Sequence, residues 1–499
     1  MSLLRHLKNP LGHLRHKFVR DAATLQVAGF LNRFSQAASA IALAFLLGAE
    51  GQGLFISAVA LQALFYFLVN LGVAQATASQ VAAAAARGNT YKSAGWIAFM
   101  AKVLVVYGVA LLLFGFFVLP KMDVALASVG HFIAPFFERF PKLDEFFSSN
   151  RDSSYDDHRI WVWAGWLCAL PILEAPRLVA AVAFQGTRRM RFLAQLENGY
   201  EVVRFYLVVL GAMITGSPVG ALLGMIAAGA VGSVLSIELY REALHDDGEY
   251  PLPRVGEIVR RARDIKIRQG IRQGLRIALL KNGQSLFGNV FPRLILLFAA
   301  GARWVTYFHI AQKIMEVPMG LAQGVTRTVL PALGELAGLK DMDAFRRLFA
   351  RVTLITGGII TCAILCALPV IPILVGAMFP DEYRDPVFTF AWILALGYIP
   401  FAFASAVDSF YIVSNQIKAW IWLTVLGAAI TIPTNVYLIL TIDYTGTAWG
   451  LSLYFSWVLV HLAYITWFLN RHKEAGIWHA PDQDDAAPAD EVETCGSSS

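Results

Sequence analysis

Twelve apolar runs, most of them twenty residues or longer, organise this 499-residue sequence and leave it few ways to fold. They lie near residues 22–47, 53–85, 94–119, 160–185, 193–214, 218–240, 275–300, 303–336, 350–376, 387–413, 418–440 and 446–469. A helix needs about 20 apolar residues to cross a bilayer core about 30 Å thick. Backbone polar groups find no partners in hydrocarbon, so such runs form helices rather than irregular chain. Charged residues make up only 15% of the chain and mean hydropathy is +0.57. Ordinary globular domains carry about 25% charge, so three soluble domains of typical size are excluded.

The basic residues set the orientation. With the N-terminus inside, 27 of the 41 Lys and Arg fall on inner segments, 7 on outer ones and the rest within spans. The inner loop after the sixth span contains RRARDIKIRQGIRQGLR, whereas the outer stretch 376–386 has one Arg and three acids. This positive-inside bias fits an even number of spans with both termini cytoplasmic. The net charge of +6 is therefore a topology and lipid-headgroup signal, and no nucleic-acid partner is expected.

The segments outside the spans carry little chemistry. The basic N-terminal stretch 1–20 lacks a short apolar core with a cleavage site and reads as a retained cytoplasmic segment. The outer stretch near 120–159 carries six phenylalanines from Phe132 to Phe147 among mixed charges, as an interfacial amphipathic helix would. The tail 471–499 is acidic, poor in bulky residues and reads as disordered.

An internal repeat divides the spans. A shift of 250 superposes Asn32 on Asn282, Ser35 on Ser285, Gly51 on Gly301 and Gln62 on Gln312. A shift of 249 superposes Gly108 on Gly357 and Leu119-Pro120 on Leu368-Pro369. The expected architecture is an all-α polytopic membrane protein of about twelve transmembrane helices. Its two six-helix lobes, 21–240 and 275–470, are related by pseudo-twofold symmetry around a central cavity, and a basic linker, 241–274, joins them. Two lobes rocking about a midplane site is a transporter plan.

Polar stripes mark the cavity. The first span carries Gln26, Asn32, Arg33 and Gln36; the seventh carries Lys281, Asn282, Ser285, Asn289 and Arg293. The eighth carries His309, Gln312, Lys313, Glu316, Gln323 and Arg327. Each ion at mid-membrane costs about 2.5–3.5 kcal/mol on the insertion scale, so these stripes face water or partners. Glu316 can pair with Lys313 one turn away, as Glu174 can with Arg177 and Glu201 with Arg204. Arg33, Lys281 and Arg293 have no acid within reach on their own helices and are expected in the cavity. Substrate contacts are expected from Arg33, Asn32, Lys281, Asn282, Arg293, Lys313, His309 and Gln312. Glu316 and Asp408 are candidates for ion or proton coupling.

No catalytic constellation accompanies these stripes. HExxH, GxSxG, P-loop and CxxC patterns are absent from the sequence, and its four cysteines are scattered. A transporter rather than an enzyme is expected, with no cofactor or metal. The glycine-rich run GALLGMIAAGAVG at 220–232 lies inside a span and reads as close helix packing.

The stretch LLGAEGQGLFISAVALQALFYFLVNLGVAQATASQVAAAAARGN at 46–89 resembles the opening of polysaccharide flippases, within the multidrug/oligosaccharidyl-lipid/polysaccharide flippase superfamily. Gly48, Gly51, Gly53, Leu54 and Phe55 fit the family's first turn, and Leu71, Gly72, Arg87, Gly88 and Asn89 its second. VTRTVLPALGELAGLKDMDAFRRLF at 325–349 is similar to the superfamily's stretch after the eighth helix. The resemblance implies a polyprenyl-diphosphate-linked oligosaccharide as substrate, flipped from the inner to the outer leaflet of a bacterial inner membrane by alternating access for surface polysaccharide biosynthesis. Membrane lipids and other polysaccharide-assembly proteins are the partners it implies. Arg33, Lys281, Arg293 and Lys313 would then meet the diphosphate or an acidic sugar. Multidrug relatives usually carry an acid in the first helix, where Asn32-Arg33 stands here. Lipid II flippases typically have fourteen helices. A multidrug or cation antiporter on the same fold, and a membrane polymerase or glycosyltransferase, remain open alternatives.

Overall fold

A computed structural model of the chain describes residues 10–69, 73–122, 158–246, 250–264, 286–320, 341–414 and 416–471, with Val329, Leu333 and Leu336 singly. The start of the basic N-terminal segment, the outer interfacial stretch, Lys281 and Asn282 in the seventh span, and the acidic tail lie outside the described residues, as do the side chains of 10–28.

Every described element is helical or a turn, and the twelve apolar runs each carry helix. Helix α1, Pro10–Val69, holds the first span and the start of the second, joined at a corner where Gly48 adopts φ 68° and ψ 176°. Left-handed φ costs an L-residue a Cβ clash, so glycine belongs there. After α2, Val73–Ala86, a left-handed turn at Gly88 leads to α3, Thr90–Phe117, whose N-cap Asn89 accepts from the Lys92 amide at 2.9 Å.

The fourth span is broken into α4 His158–Leu167, α5 Leu170–Leu173 and α6 Ala175–Gly186, with a 44° bend before α6. Pro171 and Pro176 open the two later pieces, where a missing backbone donor is tolerated. Helices α7, Met190–Thr215, and α8, Pro218–His245, turn back at left-handed Gly216. Their backbones touch: a Cβ on Gly211 would lie 2.1 Å from the Gly220 carbonyl oxygen, and one on Gly224 2.1 Å from that of Leu207. The glycine-rich run thus serves close packing. The short basic helix α9, Val255–Asp264, lies against α3, with Arg261 over the Tyr91 ring.

The second lobe repeats the plan. A π-turn at Leu286–Val290 leads into α10, Phe291–Ala300. Gly301, at φ 91° and ψ 174°, then makes the corner to α11, Ala302–Met319. Helix α12, Met342–Ala367, is capped by Asp341, which accepts from the Ala344 amide at 2.9 Å as Asn89 does for α3. There follow α13 Ile371–Met378, α14 Asp381–Phe401, α15 Val407–Val413, α16 Ile417–Thr441, α17 Gly446–Ser456 and α18 Val458–Arg471. Seven described helices are singly long and apolar enough to cross a membrane, and the bent fourth span makes eight. One of the seven covers both limbs of α1, so the spans that miss the criterion are α7, α10 and α11, which are charged or short. The described residues form an all-α polytopic membrane fold of two helical lobes, with helix in all twelve apolar runs.

The corners correct the register of the repeat. Sequence identity pairs Gly51 with Gly301, yet the backbone conformation of Gly301 is shared by Gly48. Gly51 is helical, and Gly53 serves a different purpose: a Cβ there would sit 1.9 Å from the Ala302 carbonyl oxygen. The lobes therefore meet, backbone on backbone, at the outer ends of the second and eighth spans. Phe45 stacks on Phe379 at the same end, with ring centroids 5.8 Å apart.

Candidate functional site

Below that outer contact, the first and eighth spans carry their polar stripes toward each other. Arg33 of the first lobe donates to Glu316 Oε2 of the second at 2.7 Å. Lys313, one turn before Glu316, donates to the same oxygen at 2.8 Å and to Gln36 Oε1 at 3.0 Å. Gln36 donates in turn to Asn32 Oδ1 at 2.7 Å. Five side chains at helical spacing, 32, 33 and 36 on one helix and 313 and 316 on the other, thus form one network across the lobe boundary. The anion that Arg33 meets is the protein's own carboxylate, from the opposite lobe.

Arg293 belongs to a second group. It donates to Gln312 Oε1 at 2.8 Å, while Gln312 donates to Asn289 Oδ1 at 2.8 Å and the Gly288 carbonyl at 3.2 Å. The carbonyl is within reach because the π-turn at Leu286–Val290 interrupts the regular ladder there. Arg293 feels the Glu316 carboxylate at longer range, and its Nε is buried without a hydrogen bond. His309 Nδ1 is likewise buried and unbonded.

A cavity of about 210 Å³ opens between the lobes. Ser35, Gln36, Arg293, His309 and Lys313 line one part of it, and Leu43, Phe55, Phe205 and Met225 give it apolar walls. The fifth span contributes Glu201 and Arg204, which pair with each other. The structure thus brings Arg293, His309 and Lys313 to one cavity, with Asn32, Arg33, Gln312 and Glu316 bonded directly around it. Asp408 is elsewhere: it lines a separate cavity of about 50 Å³ with Trp420, Tyr454 and His461 in the second lobe.

Two contributors escaped the sequence reading. Gln52, fully buried beside the outer corner, donates to the Ala40 carbonyl at 2.7 Å and lines the cavity. Its place in a short turn gave no sign that it points inward. In the first lobe, Glu174 at the bend of the fourth span accepts from both Arg177 and Tyr200, and the Arg177 guanidinium lies 3.9 Å from the Tyr200 ring centroid. The i+3 spacing announced the Arg177 pair; Tyr200 comes from another helix and could be found only by packing.

No protein-family model matches the chain, and no curated protein matches it by sequence. Solved structures match it in shape. A MATE protein in complex with MaL6 superposes with a TM-score of 0.64 at 13% identity, covering 91% of this chain and 96% of that one. A variant of the Vibrio cholerae MATE transporter VcmN gives 0.60 at 13%, covering 92% and 98%. A MOP superfamily transporter from Pyrococcus furiosus, described as having a binding pocket of reverse polarity that suggests a different function, gives 0.57 at 14%, covering 91% and 96%. At such identities the likeness establishes the fold.

These matches correct the resemblance to polysaccharide flippases. The similar structures are those of MATE and MOP superfamily transporters, so a lipid-linked oligosaccharide substrate, a flippase role in polysaccharide biosynthesis and polysaccharide-assembly partners are not supported. The physical reason lies in the residues that carried the resemblance. Gly48 and Gly88 are required by left-handed backbone, Gly53 by contact with Ala302, and Asn89 by a helix cap. All four serve the shared fold, and none of them lines the cavity.

Proposed function

We propose that this protein is a cation-coupled antiporter that moves small organic solutes across a bacterial inner membrane by alternating access. The observation that carries this reading is the network of Asn32, Arg33, Gln36, Lys313 and Glu316, which ties the two lobes together beside a cavity between them. A link of this kind must break whenever the lobes part, so whatever binds Glu316 in place of Arg33 biases the equilibrium between states. A proton or another cation on Glu316 would do so by neutralising the carboxylate and releasing Arg33. The twelve-span, two-lobe fold supports the reading, since similar structures include a multidrug resistance MATE family transporter in an inward-facing conformation. The cavity size does too: about 210 Å³ is below the ~300–1,000 Å³ typical of pockets for drug-sized ligands, which favours a small cargo.

Purified protein in liposomes tests this. An imposed proton or sodium gradient should drive solute movement in the wild type. Glu316→Gln should lose gradient-driven transport while still exchanging solute for solute. Wild-type coupling in Glu316→Gln, or no solute movement under either gradient, would overturn the reading.

A further inference from the structure

Resting on that transport reading, we infer that the cavity between the lobes takes an amphipathic organic anion, a small apolar body carrying one carboxylate, sulfonate or phosphate-ester head. The charges lining the cavity are Arg204, Arg293 and Lys313 against Glu201, with His309 among them. Glu201 is occupied by Arg204. Lys313 shares Glu316 with Arg33, so a single carboxylate serves two cations from opposite lobes. Arg293 is the decisive residue: it faces the cavity, its only acceptor among the described residues is the neutral Gln312, and its Nε hydrogen is buried unused.

A guanidinium beside a cavity, with its Nε hydrogen unused and only a neutral amide as acceptor, is a recognition element for a planar oxyanion, because two parallel N–H groups match two oxygens. His309 Nδ1, buried without a partner on the same wall, can supply a further hydrogen bond. The opposite requirement comes from the walls. Leu43, Phe55, Phe205 and Met225 offer no polar partner, so the part of the ligand that lies against them is apolar. Among the described residues, an organic cation would meet Arg293 and Lys313 with no unpaired carboxylate to answer it, since Glu201 and Glu316 are already paired.

Two probes of one shape and opposite charge separate the possibilities: naphthalene-1-sulfonate and naphthyl-1-trimethylammonium. The purified protein should bind the sulfonate and, in liposomes, transport it under a cation gradient, with at least ten-fold preference over the ammonium ion. Arg293→Gln should weaken sulfonate binding ten-fold or more, while Arg293→Lys, which keeps the charge, should lose less. Transport of the ammonium ion alone would overturn the anion assignment and leave the antiporter reading standing. Movement of neither probe nor any other solute would overturn both. Should Arg293→Gln fail to insert, the wild-type preference between the two probes decides alone.

Discussion

Thr306 donates its hydroxyl to the Ala49 carbonyl at 2.6 Å, from the second lobe to the first. The relationship has a mate. Adding 253 to Gly53 gives Thr306, and subtracting 253 from Ala302 gives Ala49. The backbone approach of Gly53 to the Ala302 carbonyl is therefore the same contact seen from the other side of the pseudo-twofold axis. Self-complementary contacts of this kind are what twofold symmetry requires. One copy makes the contact with a hydroxyl, and the other with a bare α-carbon, so the seam is symmetric in backbone and unequal in bonding.

Locking this seam should stop transport. Cysteines at Ala49 and Thr306 should form a disulfide that holds the outer ends together. Transport in liposomes should fall to background on oxidation and return with reductant. Full activity of the oxidised protein would show that the outer seam need not open.

The ion network should respond unequally to its members. Arg33→Ala leaves Lys313 still paired with Glu316, whereas Glu316→Ala leaves two cations facing each other. Removing one partner of a buried pair costs about 3–5 kcal/mol, and the Glu316 variant should approach that range. The Arg33 variant should lose less than half as much, because the Arg33 side chain is 29% exposed. Thermal unfolding in detergent gives the order, and equal losses would count against the shared-carboxylate arrangement. The exchanged pair Arg33→Glu with Glu316→Arg should recover part of the stability lost in either single change.

The glycine contacts of α7 and α8 should tolerate nothing larger. Gly224→Ala places a methyl group 2.1 Å from the Leu207 carbonyl oxygen, so the two helices must separate. Overpacking of this kind costs about 1–3 kcal/mol. A lowered unfolding midpoint is expected, and an unchanged one would mean the hairpin yields without loss.

Topology can be read by labelling. Glu50 at the outer corner and Arg260 on α9 are both exposed. In intact cells a membrane-impermeant thiol reagent should modify Glu50→Cys and leave Arg260→Cys untouched until the membrane is opened. The reverse pattern would invert the orientation.

The helices were legible because hydropathy acts locally, residue by residue. The caps at Asn89 and Asp341 are equally local, since an Asx side chain needs only the amide three residues on, although no sequence pattern singled them out as caps. The spacing of 313 and 316 likewise announced one ion pair within a single turn. What the sequence could not contain is the partner of Arg33, because Glu316 lies 283 residues away and only the folding of two lobes brings it within 2.7 Å. The register of the repeat was also a tertiary matter. Identity counts rewarded Gly51 with Gly301, while the corner demanded left-handed backbone at Gly48, and three residues separate the two answers. The resemblance to flippases fails for a related reason: Gly48, Gly53, Gly88 and Asn89 are residues this fold needs at its corners, and of the described motif residues only Phe55 reaches the cavity. Arg293, His309 and the apolar walls around them, which the proposal makes the cargo site, meet only when helices from both lobes close on one cavity.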